Sequence, residues 1–101
     1  MTINGVEYDL KYNIGRMEQI EQITGKSTLL AIKNSGGMLS LGDLKIYFAY
    51  GLKESGSDIF FPIKKGMQMA QELIETKGYT FVCTAVLEAL ERDCPFFFRE
   101  D

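Results

Sequence analysis

Histidine is absent from the chain, which removes the side chain most often used as a general base and most often bound to a metal. Cys83 and Cys94 stand in no Cys-x-x-Cys pattern, and two isolated thiolates do not make a tetrahedral zinc site. They read as free thiols of a core in a reducing compartment. Glu72 and Glu75 could share a helix face as a carboxylate pair, yet carboxylates at that spacing are ordinarily solvated surface. Gly36-Gly37 and Gly51 lack the spacing of a phosphate-cradling loop. Lys64-Lys65, an adjacent basic pair, reads as a solvated helix face. The residue types therefore offer no catalytic constellation, no metal site and no cofactor site. The sequence predicts a protein without enzymatic activity, whose role comes from its partners.

The candidate for partner binding is Pro95, Phe96, Phe97 and Phe98. Each ring presents roughly 150–250 Å² of surface that prefers to leave water. A helix spreads three consecutive rings around its circumference, and a strand sends the middle one to the opposite face. At least one ring is expected to meet another protein, while the same rings could instead cap the domain's own core or touch a neighbouring subunit. Charge narrows the partner. Residues 1–87 carry nine acidic and nine basic side chains. Beyond them Glu88, Glu91, Asp93, Glu100 and Asp101 face only Arg92 and Arg99. The net charge of −3 and the lack of a basic stripe argue against nucleic acid. No apolar run reaches the ~18 residues of a membrane span, and the start lacks a signal-peptide pattern. A cytoplasmic location is the expectation.

These residues need a scaffold. At 101 residues, 46% hydrophobic and 25% charged, the chain can build one core and is not disordered by composition. One domain spanning 1–101 is expected: a β-hairpin over 1–12, a helical bundle over 13–93 and an aromatic tail over 94–101. Asn4-Gly5 supplies the two positive-φ positions of a type I′ turn. After it Val6, Tyr8, Leu10 and Tyr12 alternate with Glu7, Asp9 and Lys11, and this dry face must lie on helices or on a neighbouring subunit.

Everything after Tyr12 reads as helix. Asn13 caps a segment with Ile14, Met17, Ile20 and Ile23 as its apolar residues, and Ser27 caps a short one through Leu29, Leu30 and Ile32. Ser40 and Asp43 have capping-box spacing ahead of a third helix running to Leu52, apolar nearly all round and hence central. Glu54–Asp58 is a loop by composition. Pro62 opens a fourth helix with Ile63, Met67, Ala70, Leu73 and Ile74, and Phe81, Val82, Ala85, Val86, Ala89 and Leu90 mark a last one that Pro95 ends. Gly42, Gly51 and Gly66, inside these helices, suggest close approach of neighbouring elements. Met67 and Met69 read as core. The fold class is mainly α, an N-terminal β-hairpin followed by a bundle of four to five helices.

In order, these pieces resemble the small tail assembly chaperones of long-tailed phages, including the related tail protein of gene transfer agents. The resemblance begins with Ile3-Asn4-Gly5-Val6-Glu7-Tyr8-Asp9-Leu10. Ile20-Glu21-Gln22-Ile23-Thr24-Gly25 is similar to the family's leucine-glutamate-x-x-x-glycine stretch. Leu39-Ser40-Leu41-Gly42-Asp43-Leu44 and Phe48-Ala49-Tyr50-Gly51-Leu52 are similar to its middle helix. Most of residues 1–92 is covered, and the order of the pieces carries the likeness. The resemblance implies a homo-oligomer that binds the tape-measure protein, with the tail-tube protein as a further partner, inside the host cell and outside the mature virion. It also implies a translational frameshift near the end of the short product, for which the Phe96–Phe98 codons, drawn from TTT and TTC, would supply a T-rich tract. Pro95–Phe98 matches no motif of that family. The alternative is a small prophage-encoded helical regulatory or DNA-binding protein. The connection from Glu54 to Phe61 is too long for the turn of a helix-turn-helix, about 3–4 residues.

Overall fold

The computed structural model describes residues 1–99. Glu100 and Asp101, the end of the expected tail, lie outside the described residues. The chain is mainly helical. Strands β1 (Thr2–Ile3) and β2 (Val6–Leu10) precede helices α1 (Ile14–Thr24), α2 (Thr28–Ser35) and α3 (Leu41–Gly51). Strand β3 (Leu52–Glu54), helices α4 (Ile63–Lys77) and α5 (Tyr79–Asp93) and a 3₁₀ turn (Pro95–Phe97) complete it.

The hairpin forms as its residues dictate. Asn4 and Gly5 take φ values of 52° and 81°, and Thr2 faces Glu7 while Ile3 faces Val6. The Met1 ammonium meets Glu7 at 2.7 Å and donates to the Tyr8 carbonyl at 2.7 Å. The alternation then places Tyr8, Leu10 and Tyr12 in the core, against α3 and α5 of the same chain.

Beyond Tyr12 the expectation of helix alone is corrected. The third helix stops at Gly51, and Leu52 opens β3, which pairs antiparallel with β2 through Leu10↔Leu52, Asp9↔Lys53 and Tyr8↔Glu54. The sheet thus has three strands in the order β1-β2-β3. Gly51 is where the end of the helix meets the hairpin most closely. A Cβ on it would fall 2.5 Å from Cζ of Tyr12, so only glycine lets the buried Tyr12 ring pass beneath and donate its hydroxyl to the Tyr47 carbonyl at 2.6 Å.

Helix starts follow the expected caps. Asn13, Ser27 and Ser40 accept from the backbone N–H of Arg16, Leu30 and Asp43 at 2.8, 3.4 and 3.2 Å. Gly78, at φ 96°, turns α4 into α5 within one residue. Helix α3 is central, burying Leu44, Tyr47, Phe48 and Ala49 among α1, α4 and α5. Gly66 of α4 lies so close to α3 that a Cβ would stand 3.0 Å from Cα of Ala49. Close approach therefore explains Gly51 and Gly66, but not Gly42, whose Cβ would meet nothing. Met69 is half-buried against the core; Met67 is half-buried but is not packed against it, which corrects its reading as core.

Three apolar stripes depart from expectation, that of α5 by one residue, Phe81, which is exposed. Of the α1 set only Met17 and Ile20 are buried, while Ile14 and Ile23 are exposed. Residues spaced by three drift about 60° around a helix at each step, so the ends of such a series leave the core. In α2 the buried side chain is Thr28, bonded to the Tyr47 hydroxyl at 2.9 Å with its N–H on Glu21 Oε2 at 2.7 Å. Leu29 and Leu30 are turned to solvent.

Candidate protein-interaction surface

The tail is held by the end of α5. Asp93 carries a side chain only 4% exposed. Its carboxylate accepts from the Tyr12 N–H at 2.9 Å, from Nε and Nη2 of Arg92 at 2.8 Å each, and from Lys11 Nζ at 3.3 Å. Burial by itself would raise the carboxyl's pKa, but the bonds from Arg92 and from the Tyr12 N–H outweigh it and hold the group down at about 2. Arg92 also donates to the Leu10 carbonyl. The clasp ties α5 to the strand-to-helix junction, fixing where the tail leaves. Next to it the buried Cys94 has its thiol pKa raised by burial and by the Asp93 charge, which disfavours the reactive thiolate.

Cys94 ends the helix, and Pro95 begins the 3₁₀ turn. Phe97 N–H donates to the Cys94 carbonyl at 3.2 Å and Phe98 N–H to that of Pro95 at 2.9 Å. This turn divides the three rings. Phe97 folds back onto the core, whereas Phe96 and Phe98 remain 46% and 37% exposed. Phe96 leans on Phe97 with centroids 4.8 Å apart, and Pro95 is itself exposed. Of the four tail residues singled out in the sequence, three face outward and Phe97 serves as their anchor.

A second apolar surface is absent from the sequence-based reading. Between α2 and the start of α3 runs a groove of about 560 Å³, floored by Leu30, Ala31, Met38 and Leu39 with Lys26 and Asp43 at its rim. Leu30 is 57% and Met38 60% exposed, and Lys26 Nζ meets Asp43 Oδ2 at 2.8 Å. The signal for it was the adjacent Leu29-Leu30 pair, since a helix this short cannot bury both sides. A further groove of about 490 Å³ lies between β2 and α5, where Phe81 and Ala85 approach Tyr8 and Leu10. Glu72 and Glu75 are exposed, as are Lys64 and Lys65. Among the described residues no three His, Cys, Asp or Glu side chains gather as a metal-binding group. No helix among them is long and apolar enough to cross a membrane.

Exposed apolar side chains thus stand on the tail and along the α2–α3 groove. Comparisons with protein-family models, with curated proteins and with solved structures each return no match to this chain.

Proposed function

We propose that this chain is a non-enzymatic tail assembly chaperone of the kind found in long-tailed phages, self-associating and binding the tape-measure protein during tail morphogenesis. The observation that carries the reading is large apolar side chains left in solvent on two surfaces, Phe96 and Phe98 on the tail and Leu30 and Met38 at the α2–α3 groove. Contiguous apolar surface on a soluble domain marks interaction with protein. The ordered likeness of residues 1–92 to the chaperone family supplies the client's class. A long helical client offers repeated apolar stripes, and many weak contacts along it give avidity without any tight single site. On this reading the protein acts in the host cytoplasm, departs before the virion is complete, and uses neither cofactor nor nucleic acid.

Co-expression tests it. On this reading a tape-measure protein encoded near this gene is expected to stay soluble and to co-purify with the chain, and to aggregate when expressed alone. A tape-measure protein that aggregates equally with and without the chain, and never co-purifies, refutes the reading.

A further inference from the structure

Leu52 and Gly66 are buried, but none of residues 53–65 between them is. Ser55 still belongs to the sheet, its N–H donating to the Glu7 carbonyl at 3.0 Å. Gly56, at φ 82°, then turns the chain back along β3, the last strand of the sheet. There the Phe61 N–H donates to the Leu52 carbonyl at 2.8 Å, and Lys53 Nζ to the Ser57 carbonyl at 2.6 Å. Residues 56–61 thus lie as a strap over the edge of β3. Segments with few buried apolar contacts and exposed hydrogen bonds are those that open while the core stays folded.

Two rings hold the strap down. Phe61 stands edge-on to Tyr8 with centroids 5.6 Å apart. Phe60 lies on the guanidinium of Arg16, whose Cζ is 4.0 Å from the Phe60 centroid and 5.1 Å from that of Tyr50. Arg16 reaches there from α1, and its Nε donates to the Tyr50 carbonyl at 2.8 Å. A cation over a ring face is attracted to it. Closure also has a cost. Arg16 Nη2 is buried and meets no hydrogen-bond partner among the described residues, and burial pulls the group's pKa below the usual arginine value. A donor sealed from water without an acceptor loses its hydration. Lifting Phe60 opens the guanidinium to water, so the closed strap is favoured by the difference between stacking and lost hydration. Ile59, beside Phe60, is 79% exposed and adds little to closure.

We propose that residues 56–61 form a latched strap that opens as a unit on the folded body, with the Arg16–Phe60 stack as its latch. Closed, it covers the Leu52 carbonyl and the edge of the Tyr8 ring. Open, it uncovers the outer edge of β3, and Phe60 and Phe61 join Ile59 in solvent. This device goes beyond the proposed function and holds whatever the chain's partner is.

Native-state hydrogen exchange of the full chain tests it. The Phe61 amide reports on the strap, and the amide of Phe48, a fully buried residue of α3, reports on the core. In the wild type, after correction for intrinsic rates, the Phe61 amide is expected to exchange more than tenfold faster than the Phe48 amide. Phe60→Leu keeps apolar bulk and removes the ring face; it should raise the Phe61 rate about tenfold further and leave Phe48 unchanged. Arg16→Gln removes the cation, and because Arg16 also holds the Tyr50 carbonyl, it is read as the ratio of the Phe61 to the Phe48 rate. That ratio should rise as well, and the double variant should show no more than the larger single effect. A wild-type ratio below ten overturns the strap, because its opening is then that of the core. A Phe61 rate that Phe60→Leu leaves within twofold, or single effects that simply multiply in the double variant, overturn the latch.

Discussion

Asp93 shows how one residue couples stability to pH. Its carboxyl stands at about 2 in the folded chain against 3.8 when unperturbed. A lowered folded pKa stabilises the native state above the unfolded value and is lost as pH falls through the folded one. The clasp should therefore be fully effective above about pH 4 and disappear towards pH 2. Because Lys11 and Arg92 are more than half exposed, screening limits the contribution to about 1–2 kcal/mol. Urea unfolding should find Asp93→Asn less stable by that amount at pH 7, and the gap to wild type should close between pH 4 and pH 2. A gap that persists at pH 2 would show that Asp93 acts through shape rather than charge. The tail divides at the same scale. Phe97→Ala should cost about 1–3 kcal/mol, because that ring is partly core. Phe96→Ser and Phe98→Ser should each stay within about 0.5 kcal/mol, as exposed substitutions do. Equal losses at all three positions would mean that the rings act as one packed unit.

Among the elements, α3 and α4 approach closely at Gly66. Gly66→Val places branched carbon where a single Cβ already stands 3.0 Å from the Ala49 backbone. The two helices must separate, costing about 1–3 kcal/mol despite valine's better helix propensity. Thermal unfolding is the check, and an unchanged midpoint would show that the contact yields freely. Elements with local chemistry were legible in the sequence: the Asn4-Gly5 hairpin, the Asn13, Ser27 and Ser40 caps, and the all-round apolar α3. Strand β3 was not. Leu52-Lys53-Glu54 is too short for a periodic signal, and its state is set by pairing with Tyr8–Leu10, more than forty residues away. The groove was hidden for a related reason. Leu30 and Met38 have the types of core residues, and which side of α2 faces inward is set by tertiary contacts, Thr28 on Tyr47 and Ala31 and Ile32 on the core. The tail was half legible: Phe96–Phe98 announced excess aromatic surface, but which ring turns back depends on the 3₁₀ turn after Cys94.

At the scale of the whole molecule, the radius of gyration is 12.8 Å, against about 13 Å for a compact chain of 100 residues. The exposed Leu30, Met38, Phe96 and Phe98 therefore sit on a body that has already collapsed, and their exposure is not the symptom of a loose core. What a packed body leaves uncovered can be buried only by a second molecule. Anything that binds the native state and not the unfolded one raises apparent stability by mass action. If the second molecule is another copy, the ligand concentration is the protein concentration itself. The midpoint of thermal unfolding should then rise as the wild-type protein is concentrated, while Phe96→Ser/Phe98→Ser should unfold at one temperature throughout. Scanning calorimetry across a hundredfold range of concentration reads this directly. A wild-type midpoint as flat as the variant's would mean that the exposed rings wait for a different protein, which shifts the apolar surface from assembly to client binding.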